Sequence, residues 1–283
     1  MASLRIGEAL REAQQRLAAR SDSARLDAEW LLGHVLDLTR AQLFTREQQC
    51  LSEAEWHRFE ALVQRRARGE PVAYLTGEQG FWTLRLKVGP AVLVPRPETE
   101  LLVERALAVL QGRAAPRIAD LGTGSGAIAL ALAAERPDAT VVATDADADA
   151  LAQALANAQA LGLTRVQFRH GHWYEPLRGE RYDLLVSNPP YIARHDPHLA
   201  ALSHEPLVAL SDGADGLRCL REIVAGAAEH LEPGGHLLVE HGYDQGEAVP
   251  ALLAAAGFAD IRMWRDFGGQ PRVTGGSMAQ PRV

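Results

Sequence analysis

Cysteine is nearly absent. Cys50 and Cys219 are the only two in 283 residues, too few for a disulfide framework, which fits a reducing compartment. Long apolar runs are missing too. The longest, Ala127 to Ala134, is far too short to cross a bilayer. Met1 to Gln15 is charged and lacks the apolar core of a secretory signal. Positive charge is not in excess: 29 Lys and Arg stand against 36 Asp and Glu, a formal net charge of −7. Duplex nucleic acid is held by phosphate neutralisation, so this balance argues against it as the main partner. His195, Asp196 and His198 sit in one loop without a third and fourth ligand, so they read as solvated and no metal is expected. No internal repeat or low-complexity segment occurs. These absences lead to the expectation of a soluble cytoplasmic protein with no membrane, metal or direct nucleic-acid partner.

What is present is a large apolar fraction, 47%, in a chain long enough for about two domains. Residues 1–71 read as a small helical domain, a bundle or a platform for docking a macromolecular substrate. Ile6, Leu10, Ala13 and Leu17 recur at helical spacing, and a second helix from about Ser23 to Leu36 would place Leu26, Trp30, Leu31 and Val35 on one side. Ser52 and Glu55 form a capping-box pattern ahead of a third helix, which Gly69 and Pro71 end. Residues 72–95 read as a β-hairpin linker, with Leu84, Leu86 and Val88 alternating with Arg85 and Lys87, then Gly89-Pro90 turning into Ala91 to Val94. Pro95 to Glu100 opens a helix by ordinary helix-start chemistry.

From residue 96 to 274 strands and helices alternate. Strands are expected at 117–121, 140–144, 166–170, 183–186 and 236–240, with a final edge pair in 258–274 and a disordered tail at 275–283. Repeated βα units give an α/β fold with a mostly parallel, Rossmann-like sheet covered on both faces. Ligands of such sheets bind beyond the carboxyl ends of the strands. There the first strand runs into Asp120-Leu121-Gly122-Thr123-Gly124-Ser125-Gly126, and the second ends at Asp145. Glycines let the backbone approach a ligand, and an acid on the next strand tip suits a ribose diol. A nicotinamide dinucleotide and S-adenosyl-L-methionine both fit that pair. Asp120 favours the second, because a sulfonium with an amino group prefers a nearby carboxylate, whereas a diphosphate prefers bare helix amides.

A third signal is Ser187-Asn188-Pro189-Pro190-Tyr191, which follows the apolar strand Asp183 to Val186. Two prolines stop the strand and leave an Asn amide, a carbonyl and an aromatic ring on a stiff turn. Such a turn can receive a planar group that carries an NH₂, although Asn-Pro also marks a plain strand-ending turn.

Asp120 to Gly126 resembles the first motif of class I S-adenosylmethionine-dependent methyltransferases, and Asn188 to Tyr191 resembles that of their amino-group methylating members. Tyr74 to Glu78 with Phe81, Pro95 to Glu100, Glu205-Pro206 with Asp212-Gly213, and Glu240-His241-Gly242 narrow the likeness to the peptide chain release factor glutamine methyltransferase family, over roughly residues 1–274. The resemblance implies that Gly122, Thr123, Gly124, Ser125 and Gly126 line the cofactor, that Asp145 holds its ribose and that Trp173 stands beside the adenine. It implies that Asn188, Pro189, Pro190 and Tyr191 hold the substrate glutamine, with Asn188, Pro189 and Tyr191 carrying the catalysis and Asn188 also meeting the cofactor. It further implies that the partners are release factors one and two, methylated on the glutamine of a Gly-Gly-Gln loop. Two departures stand out. His172 replaces the acid usual before Trp173, and the usual Gly-Arg beyond Arg272-Val273-Thr274 is replaced by Gly275-Gly276-Ser277. Competing readings are a glutamine methyltransferase acting on a ribosomal protein, an adenine-amino DNA methyltransferase, a nicotinamide-dependent dehydrogenase and a non-catalytic nucleoside-binding module. Glu98, Glu100 and Glu205 are candidates for shaping the substrate channel, Cys219 reads as packing, and Gly268-Gly269-Gln270 reads as a coincidental copy of the substrate tripeptide.

Overall fold

Apolar residues at helical spacing account for the amino-terminal part of the computed structural model, which describes residues 4–279 and divides into two units between Glu78 and Gln79. In the first unit α1 (Ile6–Leu17) buries Ile6, Leu10, Ala13 and Leu17. α2 (Ala24–Leu36) turns Ala24, Ala28, Leu31 and Leu32 inward. The face expected from sequence is therefore rotated: Leu26 and Trp30 are exposed. The reason is Asp27, which takes the inward position because its charge is met there. It accepts the hydroxyls of Ser21 and Ser23 at 2.8 and 3.0 Å and the Arg66 Nε–H at 2.7 Å. α3 (Arg40–Thr45) follows, and α4 (Glu53–Ala67) starts at the capping box read from sequence, with Ser52 and Glu55 bonded reciprocally. A short α5 (Val72–Thr76) closes the unit.

β1 (Glu78–Phe81) and β2 (Leu84–Lys87) pair as a hairpin. Residues 72–95 are thus not hairpin throughout: helix α5 precedes it, and Ala91 to Val94 forms no strand. After α6 (Glu100–Val109) the elements alternate as β3 (Arg117–Leu121), α7 (Ala127–Glu135), β4 (Thr140–Asp145), α8 (Ala148–Ala160), β5 (Gln167–His170) and β6 (Tyr182–Ser187). Then come α9 (Leu207–Leu210), α10 (Arg218–His230), β7 (Leu231–Glu240), α11 (Ala248–Ala255), β8 (Ala259–Arg265) and β9 (Pro271–Ser277). The seven-stranded sheet has the order β5-β4-β3-β6-β7-β9-β8, parallel as far as β7 and antiparallel beyond it.

The strand residues alternate between two cores. Ile118, Leu184, Val186 and Leu238 pack with α6 and α7 on one face. Ala119, Leu121, Leu185, Leu237 and Val239 pack with α10 and α11 on the other. Burial on both faces is why these strands read as continuous apolar runs. α7 is buried from Ala127 to Ala133, so it is apolar all round, alanine alternating with isoleucine and leucine, rather than along one stripe. Gly275, Gly276 and Ser277 belong to β9, between β7 and the edge strand β8, and a tail starting at 275 is corrected accordingly. A Cβ on Gly275 would stand 2.1 Å from Leu238 Cδ2, so close packing against β7 explains glycine there. Residues 280–283 lie outside the described residues. No helix among the described residues is long and apolar enough to cross a membrane.

Candidate active site

The carboxyl ends of β3, β4 and β6 open onto one cavity of about 430 Å³. The sequence turns sharply after β3 because Gly122 has φ +75°, which other residues resist. The Gly122 and Thr123 N–H groups both donate to the Thr144 carbonyl at 2.9 Å, pinning the turn to β4. A Cβ at Gly122 would sit 3.0 Å from the Trp173 ring. Gly122, Thr123, Gly124 and Ser125 line the cavity, while Gly126 lies just behind it and packs against Leu130 and Ala154.

Asp145 lines the cavity from the tip of β4. Its Oδ2 accepts the Gly124 N–H at 2.8 Å and its Oδ1 the Asp147 N–H at 2.9 Å, so one carboxylate holds the turn and the following loop together. Burial raises its pKa against the pull of those backbone donors. Trp173 and His172 form another wall. The Trp173 Nε1–H donates to Glu222 Oε2 at 3.0 Å, from α10. An acid therefore does stand beside this tryptophan although His172 replaces the one expected before it. It lies 49 positions away in sequence, where no local motif could reveal it.

Asp120 is placed differently from expectation. It is fully buried beneath the turn and does not line the cavity. Its Oδ2 accepts the Thr123 hydroxyl at 2.6 Å and the Ala129 N–H at 3.2 Å, while Oδ1 is buried without a partner. Burial pushes its pKa up to about 7. It braces the glycine turn and the start of α7 instead of facing a cation.

The Asn-Pro-Pro-Tyr turn is split between inside and outside. Asn188 and Pro190 line the cavity; Pro189 is buried, and Tyr191 turns away. The Tyr191 hydroxyl donates to Glu240 Oε1 at 3.2 Å, so its ring braces the turn from behind rather than covering a substrate. Asn188 Nδ2 donates to Thr99 Oγ1 at 3.1 Å. Among the described residues no hydrogen bond uses the Asn188 side-chain oxygen or the Pro189 carbonyl.

Thr99 and Arg96 line the cavity too, from a segment whose sequence also fits plain helix-start chemistry. Of the three acids considered for the channel, Glu205 is buried; it pairs with Arg96 at 2.5 Å and accepts the Val94 N–H at 3.0 Å. Glu100 instead accepts the Trp82 N–H at 2.8 Å. Cys219, read as packing, reaches the cavity, and burial raises its thiol pKa to about 11, which leaves it a poor nucleophile. Among the described residues no cluster of His, Cys, Asp and Glu could hold a metal ion.

A glycine turn beside a strand-tip acid and an Asn-Pro-Pro-Tyr turn thus line one cavity, in a chain that resembles known proteins over most of its length. The PrmC N-terminal domain family matches residues 8–77 and the methyltransferase small domain family matches residues 97–249. The release factor glutamine methyltransferase of Xylella fastidiosa is 56% identical over 261 residues, 92% of this chain and 95% of that one. The chain belongs to the release factor glutamine methyltransferase family. The relative from Pseudomonas aeruginosa is 50% identical over 92% of this chain and 94% of its own. Among solved structures, a T. thermophilus 16S rRNA methyltransferase in complex with AdoMet and guanosine matches 71% of this chain and 49% of its own at TM-score 0.54 and 21% identity, a likeness of fold.

The residues present fit S-adenosyl-L-methionine, the cofactor of this methyltransferase class. The backbone at Gly124 faces open space, with no atom within 4 Å of where a Cβ would stand, and the Asp145 carboxylate lies next to it. The turn, Asp145 and Trp173 would hold the nucleoside end.

Proposed function

We propose that this chain methylates the side-chain amide nitrogen of the glutamine in the Gly-Gly-Gln loop of peptide chain release factors one and two, working in the cytoplasm. Family membership supports the reaction class. The observation that carries the chemistry is Asn188, whose amino end is engaged by Thr99 while its oxygen is left for a ligand at the cavity. The charge of −7 and the two free thiols, Cys50 and Cys219, accord with a protein substrate in a reducing compartment.

Bound in the cavity, S-adenosyl-L-methionine supplies a methyl group on a sulfonium centre. A carboxamide nitrogen is a poor nucleophile because its lone pair is delocalised into the carbonyl. The work of the chain is therefore positioning. The Asn188 Oδ1 and the Pro189 carbonyl each accept one N–H of the substrate amide and fix its plane. The proline pair keeps the two acceptors rigid. Fixing two reactants in attack geometry supplies roughly 7–11 kcal/mol in good cases. The two carbonyl dipoles also favour the positive charge that develops on nitrogen.

Asn188→Ala tests this directly. We expect turnover on a release factor to fall about 100-fold or more while cofactor affinity, read by titration calorimetry, changes little. Loss of cofactor binding in the variant would sink the role given to Asn188. Mass spectrometry of a release factor incubated with chain and cofactor tests the substrate: one methyl on the loop glutamine is expected, and an unmodified glutamine overturns the reading.

A further inference from the structure

Trp173 is held in a backbone conformation that a bulky residue does not choose by itself. Its φ of +43° lies in the left-handed region. Such a conformation persists only where the surroundings determine it. Three contacts do so here. The Thr144 hydroxyl, near the end of β4, donates to the Trp173 carbonyl at 3.1 Å. The six-membered edge of the indole lies over the glycine turn, where a Cβ on Gly122 would stand 3.0 Å from Cζ3 and 3.6 Å from Cη2. At the opposite edge, the Nε1–H donates to Glu222 Oε2 at 3.0 Å. The ring therefore spans from the turn after β3 to α10, as one wall of the cavity.

These contacts do different work. The Thr144 bond holds the backbone, and the fit against Gly122 is one of shape. The bond to Glu222 is the directional contact on the ring itself, so it decides which edge faces the turn and which faces α10. An indole has one N–H and no acceptor, so the partner must be an acceptor on the α10 side. The same Glu222 oxygen stands 3.8 Å from His172 Nε2, and the His172 ring tilts against the indole with centroids 5.1 Å apart. Cys219, one turn earlier on α10, reaches the cavity, whereas Glu222 does not line it.

We propose that Glu222 is a positioning residue for cofactor binding: by taking the Trp173 N–H from α10, it sets the indole as a flat wall for the adenine of S-adenosyl-L-methionine. This inference rests on the placing of the nucleoside end against Trp173. Glu222 acts through the ring and not on the reacting atoms. Its removal should therefore weaken the cofactor and spare the transfer.

Glu222→Ala is the test, since alanine deletes the acceptor and suits a helix. We expect the Kd for S-adenosyl-L-methionine, by titration calorimetry, to rise about tenfold. Turnover of a release factor at saturating cofactor should stay within about threefold of wild type. Glu222→Gln keeps an acceptor oxygen and should raise the Kd by about threefold at most. In the cofactor-free protein, the Trp173 indole N–H resonance, assigned by its loss in Trp173→Phe, should move in Glu222→Ala. On a Trp173→Phe background, which has no N–H to give, Glu222→Ala should cost no further affinity. A Glu222→Ala Kd within about threefold of wild type overturns the proposal. So do an unmoved indole resonance, equal losses in the Ala and Gln variants, or a further loss on the Trp173→Phe background. Wild-type affinity in Trp173→Ala overturns the placing of the nucleoside and this inference with it. A weakened Trp173→Ala beside an unaffected Glu222→Ala overturns this inference alone.

Discussion

Asp145→Ala should separate cofactor binding from chemistry. The carboxylate stands at the tip of β4, takes the Gly124 and Asp147 N–H groups at 2.8 and 2.9 Å, and lines the cavity. Removing it deletes the acceptor proposed for a ribose diol and releases the glycine turn from the loop that follows β4. A hydrogen bond to a charged group is worth about 1.5–3 kcal/mol net, which is roughly 10- to 150-fold in affinity. We expect the Kd for S-adenosyl-L-methionine, measured by titration calorimetry, to rise within that range or beyond it if the turn also loosens. Asp145→Asn, which keeps one acceptor oxygen, should lose less. Turnover at saturating cofactor should remain close to wild type, since no part in the transfer itself is proposed for Asp145. Burial raises the pKa of Asp145, so wild-type affinity should weaken as pH falls through its ionisation, and Asp145→Asn should not follow that trend. A Kd for Asp145→Ala within about threefold of wild type would refute the reasoning.

Gly122→Ala forces a side chain into φ +75° and sets a methyl 3.0 Å from the Trp173 ring. The backbone alone costs about 1–2 kcal/mol, so cofactor affinity should drop and tryptophan fluorescence should shift; unchanged binding would argue against that close approach. Asp120 has a folded pKa of about 7 against an ordinary 3.8, so the folded state binds the proton more tightly. Its contribution to stability is present below the ordinary value and is lost as pH rises through about 7, and thermal melts of Asp120→Asn should lack that part of the decline. In the first unit, Arg66→Ala leaves the buried Asp27 with only two serine donors. Chemical denaturation should show a loss of about 3 kcal/mol, and a loss below about 1 kcal/mol would mean that Ser21 and Ser23 suffice.

The alternation of strands and helices was legible because strands buried on both faces carry unbroken apolar runs and because glycine and proline end them where the backbone must turn. That Asp145 and Asn188 line the cavity was legible for the same reason: each stands just past such a run, after Thr144 and after Ser187. Which face a residue presents was not. Asp120 lies directly before the glycine turn, yet it points beneath the turn because the Thr123 hydroxyl and the Ala129 N–H are there to receive it. Tyr191 is the last residue of the Asn-Pro-Pro-Tyr motif expected to hold the substrate, but Glu240, 49 positions away, draws its hydroxyl backward. Leu26 and Trp30 stay outside because a charged pair, Asp27 and Arg66, claims the inner side of α2. For Tyr191 and α2 the deciding partner is distant in sequence, and a local pattern holds no information about it; for Asp120 the partners are near, but only the folded turn aims them at it.

The central claim is methyl transfer to a release-factor glutamine. The most direct measurement uses labelled S-adenosyl-L-methionine with three acceptors: an intact release factor, the same factor with the Gly-Gly-Gln glutamine changed to alanine, and duplex DNA. The account predicts label on the intact factor alone. Label on the alanine form or on DNA, or none on the intact factor while cofactor still binds, would contradict it.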